Sequence, residues 1–375
     1  MSRTLYFVAG EASGDAHGAA LMSALRAEDS TLRFCGRGGP RMQKIAGAEF
    51  NDWSEHSSVL GLWEVLKQYE YFRRQFGLTI AEICALNPDA VVLIDYPGFN
   101  LRLARALRAQ LPKLRIIYYI SPQVWAWNRR RIPQMARDLN LMLCIFPFEA
   151  ELYNASGLRT VFVGHPMIEN LDPQRLVRPR DPDLVALLPG SRAREVRKIL
   201  PPMLEAAKLI VRARPGTHFE IAAASAGLAR AIETLAKNSG AAQFQITIGE
   251  GIVAMQRASV GLVASGTATL EAALFGLPFV LVYRVAWLTY LAARLVVKVK
   301  HLGMPNVLAG REIVPEFIQH RATGCAMAAA ALRLMNDAEA REKMTAEFAR
   351  IRKQLGEKEA SQTAARAILD ELTTR

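Results

Sequence analysis

Val260-Gly-Leu-Val-Ala264 runs without a break into Ser265-Gly-Thr-Ala-Thr-Leu-Glu271 and then Ala272-Ala-Leu-Phe275. The apolar run reads as a buried strand and the stretch after it as a helix, so the junction is a strand-to-helix turn built from Ser-Gly-Thr. Such a turn aims the free N–H groups of the helix start past the end of the strand, where they favour phosphate. Glu271 stands four residues after Thr267, one helical turn on. A carboxylate there repels phosphate but accepts from sugar hydroxyls, which shapes the segment for a nucleotide with its ribose. An ordinary capped core helix is the competing reading.

Outward from this junction the same pattern recurs. Leu184–Leu188, His218–Ala222, Phe244–Thr247 and Phe279–Tyr283 are further short strands, each followed by a helical stretch. Leu5–Ala9, Leu32–Cys35, Ala90–Ile94, Arg115–Ile120, Leu141–Ile145 and Val161–Val163 repeat it in the first half. Strands alternating with helices at this spacing predict an α/β fold of two Rossmann-like, doubly wound parallel sheets. Between the halves, residues 172–183 are proline-rich, charged and aperiodic, which reads as a linker. The expected domains are thus 1–171 and 184–350, facing a cleft. Residues 351–375 form a terminal helix that could pack on the first domain or on a second subunit.

With 375 residues, 51% hydrophobic and 22% charged, the chain is globular and long enough for two cores. A formal charge of +12 calls for an anionic partner: nucleic acid, a phosphorylated ligand or an anionic membrane. Cys35, Cys84, Cys144 and Cys325 are isolated, so neither a zinc site nor a disulfide framework is expected and a reducing compartment is. The strand-like Thr4–Val8 at the very start is too short for a signal peptide. No apolar run is long enough to span a bilayer. The expected location is therefore cytoplasmic.

In doubly wound sheets ligands bind beyond the carboxyl ends of strands. After the first strand comes Gly10-Glu-Ala-Ser-Gly-Asp-Ala-His-Gly18, which lacks the G-x-G-x-x-G spacing. Gly36-Arg-Gly-Gly39 replaces the acid expected after a second strand. A dinucleotide site is disfavoured. Glu11, Asp15 and His17 are functional candidates there, although capping by Ser13 and Asp15 would also account for the polarity. Val91-Val-Leu-Ile94 runs into Asp95-Tyr-Pro-Gly-Phe-Asn100. Asp95 is a candidate general base, or else the N-cap of a helix beginning near Asn100. Ser121-Pro-Gln-Val-Trp-Ala-Trp127 precedes three arginines, a patch that could stack bases, grip phosphate or roof a core. It matches no nucleic-acid module. Leu188-Pro-Gly-Ser-Arg192 places a tight turn and a forked cation at another strand end.

Taken in order, Gly10–Asp15, Ile94–Asn100, Ser121–Trp127, Phe162-Val-Gly-His-Pro166, Leu188–Arg192, Ser265–Glu271 and Met304-Pro-Asn306 resemble the motifs of the lipid-A-disaccharide synthases. These are inverting glycosyltransferases of Gram-negative bacteria with the GT-B fold, and the seven motifs span almost the whole chain. The resemblance implies transfer of 2,3-diacylglucosamine from its UDP derivative to the 6-hydroxyl of 2,3-diacylglucosamine 1-phosphate, giving a β-1,6 disaccharide for lipopolysaccharide, without cofactor or metal. It gives the base to Asp95, with Glu11 and His17 beside it. It gives the donor to Arg192 and Asn306 and the ribose to Glu271, and the strand-end candidates Gly190, Ser191, Ser265, Gly266, Thr267 and Thr269 join them as the expected UDP site. The acceptor then falls to Ser13, Asp15, Asn100, Gln123 and Trp125. Some relatives carry an acid where Gly98 stands, and His17 is not universal. With the base in one domain and the donor in the other, domain closure is expected. A peptidoglycan-type N-acetylglucosaminyltransferase, a UDP-sugar epimerase and a basic nucleic-acid-binding protein are the competing readings.

Acylated substrates reside in a bilayer. Residues 59–74 are apolar and aromatic with bases at the end, which suits an interfacial helix presenting Leu62, Trp63, Leu66, Tyr69, Phe72 and Arg73. A helix buried against its own sheet would read the same. Trp287–Lys300 is a second candidate. Each base near an anionic leaflet contributes on the order of 1 kcal/mol, so peripheral attachment to the inner face of the inner membrane absorbs the charge without nucleic acid. A homodimer exchanging the tail stays open.

Overall fold

The computed structural model describes residues 3–53, 62–240, 244–287, 290–291, 299–356 and 359–373; the side chains of 62–69 and 238–239 also lie outside the description. The chain divides into two compact units, one of Met1–Glu169 with Leu355–Arg375 and one of Asn170–Gln354. Each is built on a parallel sheet.

In the first unit the strands are β1 (Thr4–Ala9), β2 (Arg33–Gly38), β3 (Phe50–Asp52), β4 (Ala90–Ile94), β5 (Arg115–Tyr119), β6 (Leu141–Cys144) and β7 (Thr160–Phe162), in the order β3-β2-β1-β4-β5-β6-β7. In the second they are β8 (Asp181–Leu188), β9 (His218–Ala223), β10 (Phe244–Ile248), β11 (Ala258–Ala264), β12 (Phe279–Tyr283) and β13 (Glu316–Ile318), in the order β10-β9-β8-β11-β12-β13. Helices cover the faces, so central strands are apolar throughout rather than alternating: Val91, Val92, Leu93 and Ile94 are all fully buried. The winding direction reverses once in each sheet, between β1 and β4 and between β8 and β11. These are the topological switch points, where the loops on either side diverge and leave a crevice at the carboxyl ends.

Two edge strands, β3 and β13, were not legible as strands. Each has three residues, and Phe50-Asn-Asp52 and Glu316-Phe-Ile318 offer no apolar run. The stretch expected as a linker is tied to the second unit. Asp172–Gln174 forms a 3-10 turn, and Arg180 donates to the carbonyls of Met255, Ala258 and Phe275. The Leu176 N–H reaches Gln256 Oε1 at 2.7 Å, and β8 already begins at Asp181. Residues 173–179 stay exposed, while the Arg180 charge satisfies three backbone carbonyls.

Within this chain the terminal helix lies on the first unit. Helix Ala360–Thr373 packs on helix Ala12–Glu28, Arg366 pairs with Glu28 at 2.9 Å, and Arg159 pairs with Glu371. Ahead of it, His165 N–H donates to Leu355 O at 2.9 Å. No described helix is long and apolar enough to cross a membrane.

Because Ile368 is fully buried, Ile368→Ala should cost about 2–5 kcal/mol of stability. Urea unfolding checks it; a loss under about 0.5 kcal/mol, the scale of a neutral surface change, would contradict the packing.

Candidate functional site

Both turns at the second switch point open into one cavity of about 510 Å³, lined by Leu188, Gly190–Arg192 and Glu195 on the β8 side and Ala264–Ala268 with Glu271 on the β11 side. The backbone around Ala223 and Gly249 lines it as well. Gly190 has φ +108° and Gly266 φ +150°, conformations that side chains resist, so both turns need glycine. Ser191, Ser265 and Thr267 stand at its rim, and the helix Thr267–Leu274 starts there. Burial raises the Glu271 carboxyl above the ordinary glutamate range. The sequence-derived phosphate turn, its partner turn and the acid are therefore in one place.

Three residues behave differently from expectation. Thr269 is buried and its hydroxyl donates to Gly266 O at 2.7 Å, so it fastens the turn instead of facing the cavity. Arg192 is exposed and leans on Glu195, 3.1 Å away. Glu195 had no sequence motif to mark it, yet it lines the cavity, and a Cβ on Gly190 would come within 2.6 Å of its Oε2. Asn306, expected at the donor, is fully buried. Its Oδ1 accepts from the N–H groups of Ile313 at 2.8 Å and Val314 at 2.9 Å. Its Nδ2 donates to Val314 O and Glu316 Oε1, each at 2.8 Å. All four hydrogen-bonding positions of the amide are spent on the loop before β13, leaving none for a ligand.

At the first switch point, Asp95 and Tyr96 follow β4 with φ +46° and +50°, a left-handed pair that costs of order 1–3 kcal/mol each unless surroundings hold it. Asp95 N–H donates to Tyr119 O at 2.9 Å. Asp95 O accepts from Asn100 Nδ2 at 2.8 Å and from the Tyr118 hydroxyl. Asn100 and Tyr118 are fully buried, so this clamp is rigid. The helix starts at Pro97, with Tyr96 in the capping place; Asp95 is no N-cap. Burial raises its carboxyl, the Tyr96 N–H opposes that, and the charge of Glu11 adds to the rise. The Asn100 Nδ2 is thus committed to the backbone around Asp95, while its Oδ1 is buried without a partner among the described residues.

Glu11 and Ser13 are exposed at the end of β1, and Glu11 makes no capping hydrogen bond. Asp15 is buried, its carboxylate accepting from the N–H groups of Arg41 at 3.1 Å and Met42 at 2.9 Å. It fixes the start of helix Pro40–Ala46, which is the capping alternative in a longer-range form. His17 is half-buried and burial holds its pKa down. His165, part of a quoted motif but given no role from sequence, is buried and pushed down to about 4, by burial and then by His17. Of the two tryptophans after β5, Trp125 is buried and donates to Glu149 Oε1 at 2.8 Å, whereas Trp127 is exposed with Arg131 5.0 Å from its ring. Gln123 is exposed.

The expected membrane helix spans Leu62–Leu86. The side chains of Leu62, Trp63, Leu66 and Tyr69 lie outside the described residues. Phe72 is half-buried against Tyr71 and Arg73 is exposed. Further along, Phe76 and Ile80 pack on the core and buried Arg37 pairs with Glu82. One face of this end of the helix packs on the core, while Gly77, Leu78, Ala81, Glu82 and Ala85 are exposed. In the second candidate, Trp287 and Leu291 are 59% and 51% exposed, while residues 288–289 and 292–298 lie outside the description.

A family model described as Lipid-A-disaccharide synthetase matches residues 5–370. The lipid-A-disaccharide synthase of Anaeromyxobacter dehalogenans (strain 2CP-C) is 39% identical over 97% of this chain and 96% of its own. Among solved structures, the calicheamicin glycosyltransferase CalG4 superposes with a TM-score of 0.60 at 17% identity, covering 99% of this chain and 98% of its own. The UDP-GlcNAc 2-epimerase of Neisseria meningitidis, bound to UDP-GlcNAc, gives 0.59 at 13% identity with 99% of each chain covered. The fold is of the GT-B type, with two Rossmann-like domains. On its motifs, its two switch-point sites and these matches, the chain belongs to the lipid-A-disaccharide synthase family, the glycosyltransferases of lipid A biosynthesis.

Proposed function

We propose that the enzyme transfers 2,3-diacylglucosamine from its UDP derivative to the 6-hydroxyl of 2,3-diacylglucosamine 1-phosphate with inversion, releasing UDP. The observation that carries this reading is the single cavity formed by the Gly190 and Gly266 turns with Glu271. A helix start suits the diphosphate, and a buried carboxyl suits ribose hydroxyls. The structural neighbour that holds UDP-GlcNAc supports a UDP-sugar for this fold.

The chemistry divides between the units. Asp95 takes the proton of the acceptor hydroxyl, whose oxygen then attacks the anomeric carbon as the bond to UDP breaks. Its raised pKa makes it a stronger base than a solvated aspartate. Glu11 borders the same strand end and its charge bears on Asp95, while burial holds the His17 pKa down in the helix that follows. The leaving diphosphate collects charge as the bond breaks, and in this reading the N–H groups at Gly266 and Thr267 together with Arg192 receive it. For Arg192 this means exchanging Glu195 for phosphate, a trade the exposed pair permits. Substrates with acyl chains call for reversible attachment to an anionic membrane surface, which the +12 charge favours.

Asp95→Asn should lower kcat by about 10²–10⁴-fold while UDP still binds; turnover within a few-fold of wild type would remove Asp95 as base. Since the base acts ionised and its pKa is raised, wild-type kcat should fall on acidification at a pH above the ordinary aspartate range. A pH-rate profile checks this, and a plateau down through that range would contradict it. Glu271→Ala should weaken UDP binding about tenfold or more, read by calorimetry, with acceptor binding retained; the reverse pattern would sink the donor assignment.

A further inference from the structure

Glu149 lies in no motif that the sequence reading used, yet it is fully buried and joins two strand-end loops on the acceptor side. It belongs to the first turn of helix Pro147–Asn154, just after β6. Its Oε1 accepts from Trp125 Nε1 at 2.8 Å, and its Oε2 accepts from the Ser121 hydroxyl and from the Phe146 N–H at 3.3 Å. Ser121 and Trp125 bracket the loop after β5, the strand adjacent to the one that carries Asp95. No cation pairs with this carboxyl among the described residues.

We propose that Glu149 is a positioning residue for the acceptor: its carboxylate holds the Ser121–Trp127 loop in the shape that receives the acylated sugar. The inference rests on the functional reading above and assigns a part of its acceptor site. Three donors converge on two oxygens, so the ionised form is the one they bind, while burial opposes ionisation and sets the pKa at about 7. Cys144 on β6 and Tyr153 on the same helix are the titratable groups that feel this charge, and burial keeps both protonated. Ordinary packing would be served as well by a neutral isostere. Glutamine, however, must point its NH₂ either at the Trp125 N–H or at the Phe146 N–H, and each choice sets donor against donor. The loop must shift to relieve it.

The test compares full-length wild type with Glu149→Gln at pH 8. The acceptor KM, measured with 2,3-diacylglucosamine 1-phosphate, should rise tenfold or more while the Kd for UDP stays within twofold. A defect of general folding would move both. The emission of Trp125, taken as the difference from the same protein carrying Trp125→Phe, should shift to the red. An unchanged emission overturns the positioning role, and a shifted emission with acceptor KM within twofold overturns its link to the acceptor. If Glu149→Gln does not fold, Ser121→Ala removes one donor alone and should raise acceptor KM a few-fold; no rise overturns the proposal. If wild type releases no UDP from the two acylated sugars, the functional reading fails, and the emission alone decides whether Glu149 positions the loop.

Discussion

Parallel strand pairing is the constraint on which everything else depends. A parallel strand cannot be joined to its neighbour by a tight turn, so every connection crosses over and every strand ends at the same edge. Where winding reverses, two adjacent strands send their chains to opposite sides and the edge opens. Each sheet here reverses once, and the residues with chemical potential gather at those two places. At one, the Gly190 and Gly266 turns meet around a single cavity with Glu271. At the other, Asp95 emerges from β4 beside the end of β1, near Glu11.

The local means differ between the two. In the second unit the backbone itself lines the cavity, and glycine at positive φ lets it turn there without a side chain in the way. In the first, the positive φ falls on Asp95 and Tyr96, which gain no such relief. Their conformation is held from beneath, by Asn100 and Tyr118 on one carbonyl. The same device recurs at the loop after β5, where Glu149 gathers Ser121, Trp125 and the Phe146 N–H. In both places buried polar groups hold a loop at the carboxyl edge.

How much of this was legible in the sequence follows from the same physics. Fully buried strands such as Val91–Ile94 announce themselves as apolar runs, and the residues just after them are the ones to inspect. That is why Asp95, Gly190–Arg192 and Ser265–Glu271 stood out. Asn306 and Thr269 bond backbone in this structure, and a short polar residue in a motif reads alike whether it faces a ligand or a backbone carbonyl. Glu195 and Glu149 lie on helices outside the quoted motifs, and His165 stood inside one without a role; their contacts are across space and leave no local pattern. Residues 172–183 read as a linker, and proline and charge give no sign that Arg180 will find three carbonyls. The three-residue edge strands carry too few side chains to show a period.

The central claim is that the cavity of the second unit is a uridine-nucleotide site. Thermal unfolding of the purified protein with UDP, NAD or ATP at equal concentration tests it most directly, because a ligand that binds only the folded state raises the melting temperature in proportion to its affinity. The account predicts a rise of several degrees with UDP and little or none with NAD and ATP. An equal response to all three, or stabilisation by NAD alone, would contradict it.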